Sequence, residues 1–278
     1  MDSIKPRSVL YVPGDSPRKL AKAAGVPADG FIIDWEDAVA EDRKVAARDE
    51  TVRAMPTLLG LGRYVFVRRN PAPGVFADAD AEALRECAPH GVVIPKCEDV
   101  EDLEQALDES AGSVLVFAMI ESPKGLHNAY SIAGFSARVA GLMFGAEDYS
   151  ARTGIIRSPG EPELAHARAQ AVNAARAAGR EVFDSPSMQY LDLGAVREAA
   201  VRARRLGFTG QAAIHPSQVE VINESFLPSD REIGEARAVL RRYESHGGGV
   251  AGFEGALEDK PAVLDALGRI NARRRYEE

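Results

Sequence analysis

Glu121 and Asp148 each stand just past a short apolar run. Glu121 follows residues 114–120, and Asp148 follows residues 141–145, with Ala146 and Glu147 between. A strand that ends in a carboxylate belongs to a sheet whose ends, rather than faces, carry chemistry. Two such carboxylates on neighbouring strands suit Mg²⁺, a hard cation that takes oxygen ligands and often uses only one or two protein carboxylates. Their type and spacing point to a metal enzyme acting on an anionic substrate. Such a metal would chelate a substrate carboxylate and an adjacent keto or hydroxyl oxygen.

Further ionisable residues follow the other apolar runs. Asp34, Glu36 and Asp37 follow residues 30–33, Arg68 follows 64–67, Lys96 follows 91–94, and His215 follows 211–214. Arg68 can offer two parallel donors to a carboxylate or an enolate oxygen. It can equally pair with Asp34, Glu36 or Asp37, a cluster too acidic to stand unpaired. Lys96 is a Schiff-base candidate, but as a charge partner for that cluster it has the simpler reading. Solvated loop carboxylates are the plain alternative for Glu121 and Asp148.

Eight apolar runs must position these residues: 8–12, 30–33, 64–67, 91–94, 114–120, 140–144, 181–183 and 211–214. Helical patterns separate most of them, which is the signature of buried parallel strands in βα units. A doubly wound open sheet accommodates the alternation, but the count of eight favours a (β/α)₈ TIM barrel spanning residues 1–228. Local signals mark the helices. Ser16-Pro17 starts one and Gly25 stops it; Asp99 opens an acidic one; Gly179 and Gly207 end two more. Ser229-Asp230-Arg231-Glu232 is a capping box. Residues 229–278 form a C-terminal helical arm, with a glycine-rich hinge at 246–252 and a last helix from about Pro261 to Arg275.

The composition is ordinary for a globular chain of 278 residues: 45% hydrophobic, 27% charged and a net charge of -8. The charge argues against non-specific nucleic-acid binding. Cys87 and Cys97 are too few for a disulfide framework, no run approaches a membrane span, and a cytoplasmic protein is expected. The sequence 247–252 matches a dinucleotide fingerprint in form only, since it follows a helix and not a strand.

These residues also carry a resemblance. The chain resembles the citrate lyase β-subunit family, within the wider aldolase/citrate lyase superfamily that includes malyl-CoA and citramalyl-CoA lyases. The matching stretches are Arg7-Ser8-Val9-Leu10-Tyr11-Val12-Pro13-Gly14, Asp34-Trp35-Glu36-Asp37-Ala38-Val39, Val67-Arg68-Arg69-Asn70, Pro95-Lys96, Ile120-Glu121-Ser122-Pro123, Phe144-Gly145-Ala146-Glu147-Asp148, Gly207-Phe208-Thr209-Gly210 and Ile214-His215-Pro216. The resemblance implies a TIM barrel with Mg²⁺ on Glu121 and Asp148, and Arg68 on the substrate's carboxylate or carbonyl. It implies that Tyr11, Arg18, Ile214 and His215 help hold an acyl thioester carrier. Relatives often have Lys where this chain has Arg18, and Leu where it has Trp35.

The segment Gly255-Ala256-Leu257-Glu258-Asp259-Lys260-Pro261 is similar to the family's C-terminal Gly-x-x-x-Asp-x-Pro, in which the aspartate enters a neighbouring subunit's site. That implies an acid/base role for Asp259 and a homo-oligomer, a trimer or hexamer; Glu258 departs from the pattern. The implied reaction is reversible cleavage of a 3-hydroxyacyl-CoA thioester to an acyl thioester and a 2-oxo acid. Three other activities fit the same residues. They are a Mg²⁺-dependent 2-oxo acid aldolase without CoA, an acyl-CoA thioesterase, and a carrier-protein-dependent subunit of a lyase complex.

Overall fold

The computed structural model describes residues 5–109, 114–245, 251–253, 256–258 and 260–277. The chain divides into two compact units, Met1–Asn223 and Glu224–Glu278.

The first unit is a closed barrel of eight parallel strands in chain order: β1 (Ser8–Pro13), β2 (Gly30–Asp34), β3 (Tyr64–Arg68), β4 (Gly91–Ile94), β5 (Leu115–Ile120), β6 (Val139–Phe144), β7 (Glu181–Asp184) and β8 (Gly210–Ala213). Each matches its apolar run to within one residue at either end. The continuous runs are legible because a parallel barrel strand is buried on both faces, by the interior and by the surrounding helices.

The barrel interior holds Val9, Ile32, Phe66, Val93, Phe117, Met119, Met143, Phe183 and Ala212. Three phenylalanines fill it in tilted and edge-on contact, Phe66–Phe117 at 4.9 Å and Phe117–Phe183 at 5.6 Å between ring centres. They come from β3, β5 and β7, and the next strand opposes each ring with a glycine. A Cβ on Gly91 would lie 3.0 Å from the Phe66 ring, one on Gly141 2.8 Å from Phe117, and one on Gly210 2.7 Å from Phe183. In this layer the rings come from odd strands and the even strands contribute glycines, the alternate-strand layering that fills a barrel of this size.

Side chains alternate in and out along a strand, so the residue two beyond an inward core residue points to the barrel's C-terminal mouth. Val9 leads to Tyr11, Ile32 to Asp34, Phe66 to Arg68, Met119 to Glu121 and Met143 to Gly145. The same alternation that packs the core therefore aims the polar residues.

The helix signals hold with two differences in detail. Ser16 has extended backbone at the start of helix Pro17–Ala23, but its side chain makes no capping bond. Asp99 precedes helix Val100–Glu109, yet its carboxylate pairs with Lys124 at 2.6 Å. Asp102 reaches back instead to accept from the backbone N–H groups of Glu98 and Asp99. Gly179 and Gly207 take positive φ values of 66° and 99° where their helices stop.

In the second unit, helices Asp230–Ser245 and Lys260–Glu277 pack together, with a short antiparallel pairing of Ala251–Phe253 and Ala256–Glu258. The capping box forms: Glu232 accepts from the Ser229 N–H at 2.8 Å, and the Glu232 N–H donates to Ser229 Oγ at 3.2 Å. Arg273 ties to Asp230 at 2.9 Å and to the Pro228 carbonyl. Asp259 and residues 246–250 of the expected hinge lie outside the described residues. No helix among the described residues is long and apolar enough to cross a membrane.

Candidate active site

Arg68 is the hub of the barrel mouth. It stands opposite Asp34 in the β2–β3 register and donates to that carboxylate through Nε at 2.8 Å and Nη2 at 2.6 Å. Its Nη1 lies 2.9 Å from Glu36 Oε2 and 3.6 Å from Asp37. The guanidinium carbon sits 5.0 Å from the centre of the Tyr11 ring, a cation–π contact. Burial works against the charge on Arg68, but Tyr11, Asp34 and Glu36 outweigh it, so its pKa is raised and it stays a cation.

The acidic turn after β2 is held from three sides. Asp34 accepts from the Glu36 and Ala38 N–H groups at 2.9 and 3.1 Å. Buried Lys44 donates to the Trp35 and Glu36 carbonyls at 2.7 and 2.8 Å. Trp35 is fully buried and donates to Thr51 at 2.8 Å. A Cβ on Gly14 would meet its ring at 2.8 Å, so the glycine makes room for the indole.

Lys96 donates to Glu36 at 2.6 Å and lies 3.9 Å from Asp37. Its backbone has φ +53°, a left-handed geometry that a lysine adopts at a cost. That geometry directs its N–H to Glu121 Oε2 at 2.9 Å. The opposite flank of Glu121 touches Gly145: a Cβ there would come within 2.5 Å of Glu121 Cγ and 2.7 Å of Oε1. Burial, then the negative charges of Glu36 and Asp148, push the Glu121 carboxyl up to about 7. Asp148 lies in the first turn of helix Ala146–Thr153, while Glu147 turns aside to pair with Arg157 at 2.6 Å.

These groups surround a cavity of about 300 Å³ whose walls include Tyr11, Asp34, Asp37, Arg68, Glu121, Asp148 and Ile214. Glu36 and Lys96 touch it through their bonds to Arg68 and Glu121. Arg18 is exposed on helix Pro17–Ala23, and His215 bonds to Ser217 at 2.7 Å; neither belongs to this wall. Met119, Met143 and Met188 supply its apolar side, which the sequence reading left out. Asp184, a polar residue expected at the end of the seventh run, also lines the cavity, and its Oδ1 accepts from buried Arg168 at 2.9 Å. Asp184 is legible in the sequence, since it directly follows the seventh run. Its partner, 16 residues earlier on a helix, carries no local signal.

The oxygen donors fit a divalent hard cation. Among the described residues no cluster of three or more His, Cys, Asp or Glu is placed to cage a metal. Glu121 and Asp148 instead offer two carboxylates on a cavity wall, the arrangement Mg²⁺ accepts when water and substrate supply its other ligands. The Glu121 carboxyl is raised by burial and by the neighbouring carboxylates Glu36 and Asp148, which the Lys96 N–H and the Arg68 charge offset only in part. Cys87 and Cys97 are free and buried, and burial pushes both thiols up, so they lie outside this chemistry.

Residues 7–216 match the family described as HpcH/HpaI aldolase/citrate lyase. The chain belongs to that family. A (3S)-malyl-CoA thioesterase of Cereibacter sphaeroides is 34% identical over 263 residues, covering 94% of this chain and 92% of the relative. The citrate lyase subunit beta of Haemophilus influenzae is 33% identical over 271 residues, covering 92% and 93%. Among solved structures, CitE of Mycobacterium tuberculosis in complex with magnesium, acetoacetate and coenzyme A matches with a TM-score of 0.86. It is 31% identical, over 97% of this chain and 98% of that one. The citrate lyase beta subunit of the same organism, complexed with oxaloacetate and magnesium, gives 0.71 at 32% identity over 81% and 98%. This member of the HpcH/HpaI aldolase/citrate lyase family thus has enzymes along its whole barrel as relatives.

Proposed function

We propose that the chain is a Mg²⁺-dependent carbon–carbon lyase that cleaves a 3-hydroxyacyl-CoA thioester of the malyl, citramalyl or citryl type. The products are an acyl thioester and a 2-oxo acid. The observation that carries this reading is the buried Glu121 carboxyl on the same cavity wall as Asp148 and beside a fixed guanidinium. The CitE relative solved with magnesium, acetoacetate and coenzyme A supports the same assignment.

Mg²⁺ held by Glu121 and Asp148 would supply Lewis acidity toward the carboxylate and adjacent oxygen of the 2-oxo acid half. The remaining chemistry belongs to the side chains. A guanidinium has five N–H donors. Asp34 takes two from Arg68, through Nε and Nη2, and Glu36 faces Nη1 as an ion partner at 2.9 Å, which leaves N–H groups on both terminal nitrogens for a substrate oxygen. Arg68 is thereby aimed before substrate arrives and stabilises negative charge on the substrate oxygen without reorganising. Tyr11, whose hydroxyl burial keeps protonated, stacks on the same guanidinium and borders the substrate.

When the bond between the carbinol carbon and the thioester α-carbon breaks, the hydroxyl proton passes to the carboxylate of Asp259, the oxygen becomes the 2-oxo carbonyl, and the bonding pair passes to a thioester enolate. That enolate needs a proton at carbon. We assign this transfer to Asp259 of an adjacent subunit in a homo-oligomer, with 229–278 as the arm that carries it and 1–228 as the barrel. Arg18, Ile214 and His215 would meet the carrier.

The thioesterase name of the Cereibacter relative favours a second reading, in which water attacks the thioester carbonyl in the same cavity. The name of the Haemophilus relative favours a third, a subunit that works on an acyl carrier protein within a complex. One experiment separates them. The purified chain is incubated with malyl-CoA, citramalyl-CoA and citryl-CoA, in Mg²⁺ and in EDTA. Mg²⁺-dependent formation of a 2-oxo acid supports the lyase. Free CoA with the hydroxy acid intact moves the assignment to a thioesterase. No turnover of any substrate favours the carrier-dependent subunit or an aldolase that does not use CoA.

A further inference from the structure

Gly145 starts helix Ala146–Thr153 but has no side chain to cap it, so the helix's first N–H groups need partners from elsewhere. Ser185, one residue past β7, supplies one. Its Oγ accepts from the Ala146 N–H at 2.8 Å and donates to the Phe144 carbonyl. One hydroxyl therefore bonds the chain on both sides of Gly145. A serine can do this because its hydroxyl is donor and acceptor at once.

The turn it holds joins the two carboxylates of the cavity wall. The Gly145 N–H donates to the carbonyl of Ile120, the residue before Glu121, at 3.0 Å. Gly145 also lies flush against the Glu121 side chain, and Asp148 sits in the first turn of the helix, two residues past Ala146. A shift of this turn would carry Asp148 away from Glu121.

Ser185 is itself held. Its N–H donates to Asp184 Oδ1 at 2.9 Å, and its carbonyl accepts from the Gln211 amide at 2.9 Å. Asp184 Oδ1 also accepts from Arg168 Nε at 2.9 Å, and Arg168 donates to Glu161 at 2.7 Å. Glu161 lies 3.1 Å from Arg157 and 3.6 Å from Arg202. Arg157 returns to Glu147, the neighbour of Asp148, at 2.6 Å. The bonds close a circuit that grips residues 144–148 from two sides. The Arg157–Glu147 side is partly exposed, where an ion pair holds little. Ser185 is buried, so deleting its hydroxyl takes a partner from the Ala146 N–H and from the Phe144 carbonyl where water does not easily replace it.

We propose that Ser185 is a positioning residue for the Mg²⁺ site: by fixing the turn 144–148 it sets Asp148 against Glu121. This role rests on Glu121 and Asp148 being the metal's ligands.

Calorimetric titration of the full, metal-free chain with MgCl₂ reads the effect. Ser185→Ala should weaken Mg²⁺ binding by about 10- to 100-fold, the range seen when the support of a metal ligand is disturbed. Ser185→Thr keeps the hydroxyl, with the cavity beside it to take the extra methyl, and should recover most of that affinity. In the metal-free chain the Ala146 amide should exchange its hydrogen faster in Ser185→Ala than in wild type or Ser185→Thr. Asp148→Asn, the reference for the ligands themselves, should weaken Mg²⁺ binding as well. Circular dichroism spectra matching wild type establish that each variant is folded. If Ser185→Ala does not fold, Ser185→Cys, whose thiol bonds weakly, should show the same loss in smaller degree. Wild-type Mg²⁺ affinity in folded Ser185→Ala, with Asp148→Asn weakened, would overturn the role of Ser185 alone. So would a loss that Ser185→Thr does not reverse. Wild-type affinity in Asp148→Asn would overturn the ligand assignment, and the role of Ser185 with it.

Discussion

Arg68 and Asp34 face each other across adjacent strands in register, and a two-bond fork of 2.8 and 2.6 Å joins them at the barrel mouth. The pair is a product of topology: each residue lies two positions beyond an inward core residue, Phe66 and Ile32. Both are buried, so removing one partner leaves a charge that water cannot reach. Asp34→Asn is expected to lower stability by roughly 3 kcal/mol, the low end for breaking a buried pair, because Glu36 remains on Arg68. Urea unfolding measures it. Arg68→Lys keeps the charge but cannot form the fork. It should reduce kcat for thioester cleavage about 10²- to 10³-fold, as loss of a preorganised donor does. An Arg68→Lys enzyme with wild-type kcat would remove Arg68 from the reaction.

Burial and the neighbouring carboxylates push the Glu121 carboxyl up to about 7. A carboxyl raised to about 7 favours a fold in which it is protonated. Its contribution is therefore fully present below the unfolded value of about 4.3 and is lost as pH rises through about 7. In EDTA, the Tm of the wild-type chain should fall between pH 5 and 8 relative to Glu121→Gln, which has no proton to lose. Mg²⁺ should reverse the difference above pH 7. Because the cation must displace one proton, its affinity should rise about tenfold per pH unit below 7 and level off above. A Mg²⁺ affinity that is flat from pH 5 to 8 would show that Glu121 is not a ligand.

Gly145 is the least expendable small residue at the mouth. A methyl group there would collide with Glu121 Cγ and Oε1 at 2.5 and 2.7 Å. Glu121 is also held by the Lys96 N–H, so it cannot swing away without losing that bond. Gly145→Ala should displace the carboxylate and weaken Mg²⁺ binding by about 10- to 100-fold, the range seen when the support of a metal ligand is disturbed. The barrel should persist, with its circular dichroism unchanged. Isothermal titration with Mg²⁺ makes the comparison.

What the sequence reveals of this site follows from how each residue is placed. Glu121, Arg68 and Asp34 are legible because a buried parallel strand reads as an unbroken apolar run, and the first ionisable residue after it must lie at a strand end. The Asp34–Asp37 cluster also announces its need for cations, and Arg68 and Lys96 supply them. Lys44 is not legible: it serves two carbonyls from within an unremarkable helix, and only the closed barrel brings it there. The same holds for Arg168 with Asp184, and for Glu161 gathering three arginines. Met119 and Met143 of the cavity wall look like core residues because on most of their surface they are, whereas Met188 is exposed. Ser16 has the extended backbone of a cap, yet its side chain makes no capping bond, which its residue type alone does not announce.

Lys96 decides between two chemistries. An imine-forming lysine must lose its proton near neutral pH. Burial pushes Lys96 in that direction, but the hydrogen bond to Glu36 and the charges of Glu36, Asp37 and Glu121 outweigh it, and the pKa is raised. The ammonium is thus a clamp on Glu36, while the N–H of the same residue steadies Glu121. Borohydride added with 2-oxo acid should trap no adduct by mass spectrometry, and EDTA should abolish turnover. Lys96→Gly accepts the φ of +53° without strain, keeps the N–H and deletes only the ammonium. It should retain Mg²⁺ affinity while kcat falls about tenfold through loosening of Glu36 and Arg68. A borohydride-stable adduct in the wild type, absent from Lys96→Gly, would replace the metal-assisted mechanism with an imine.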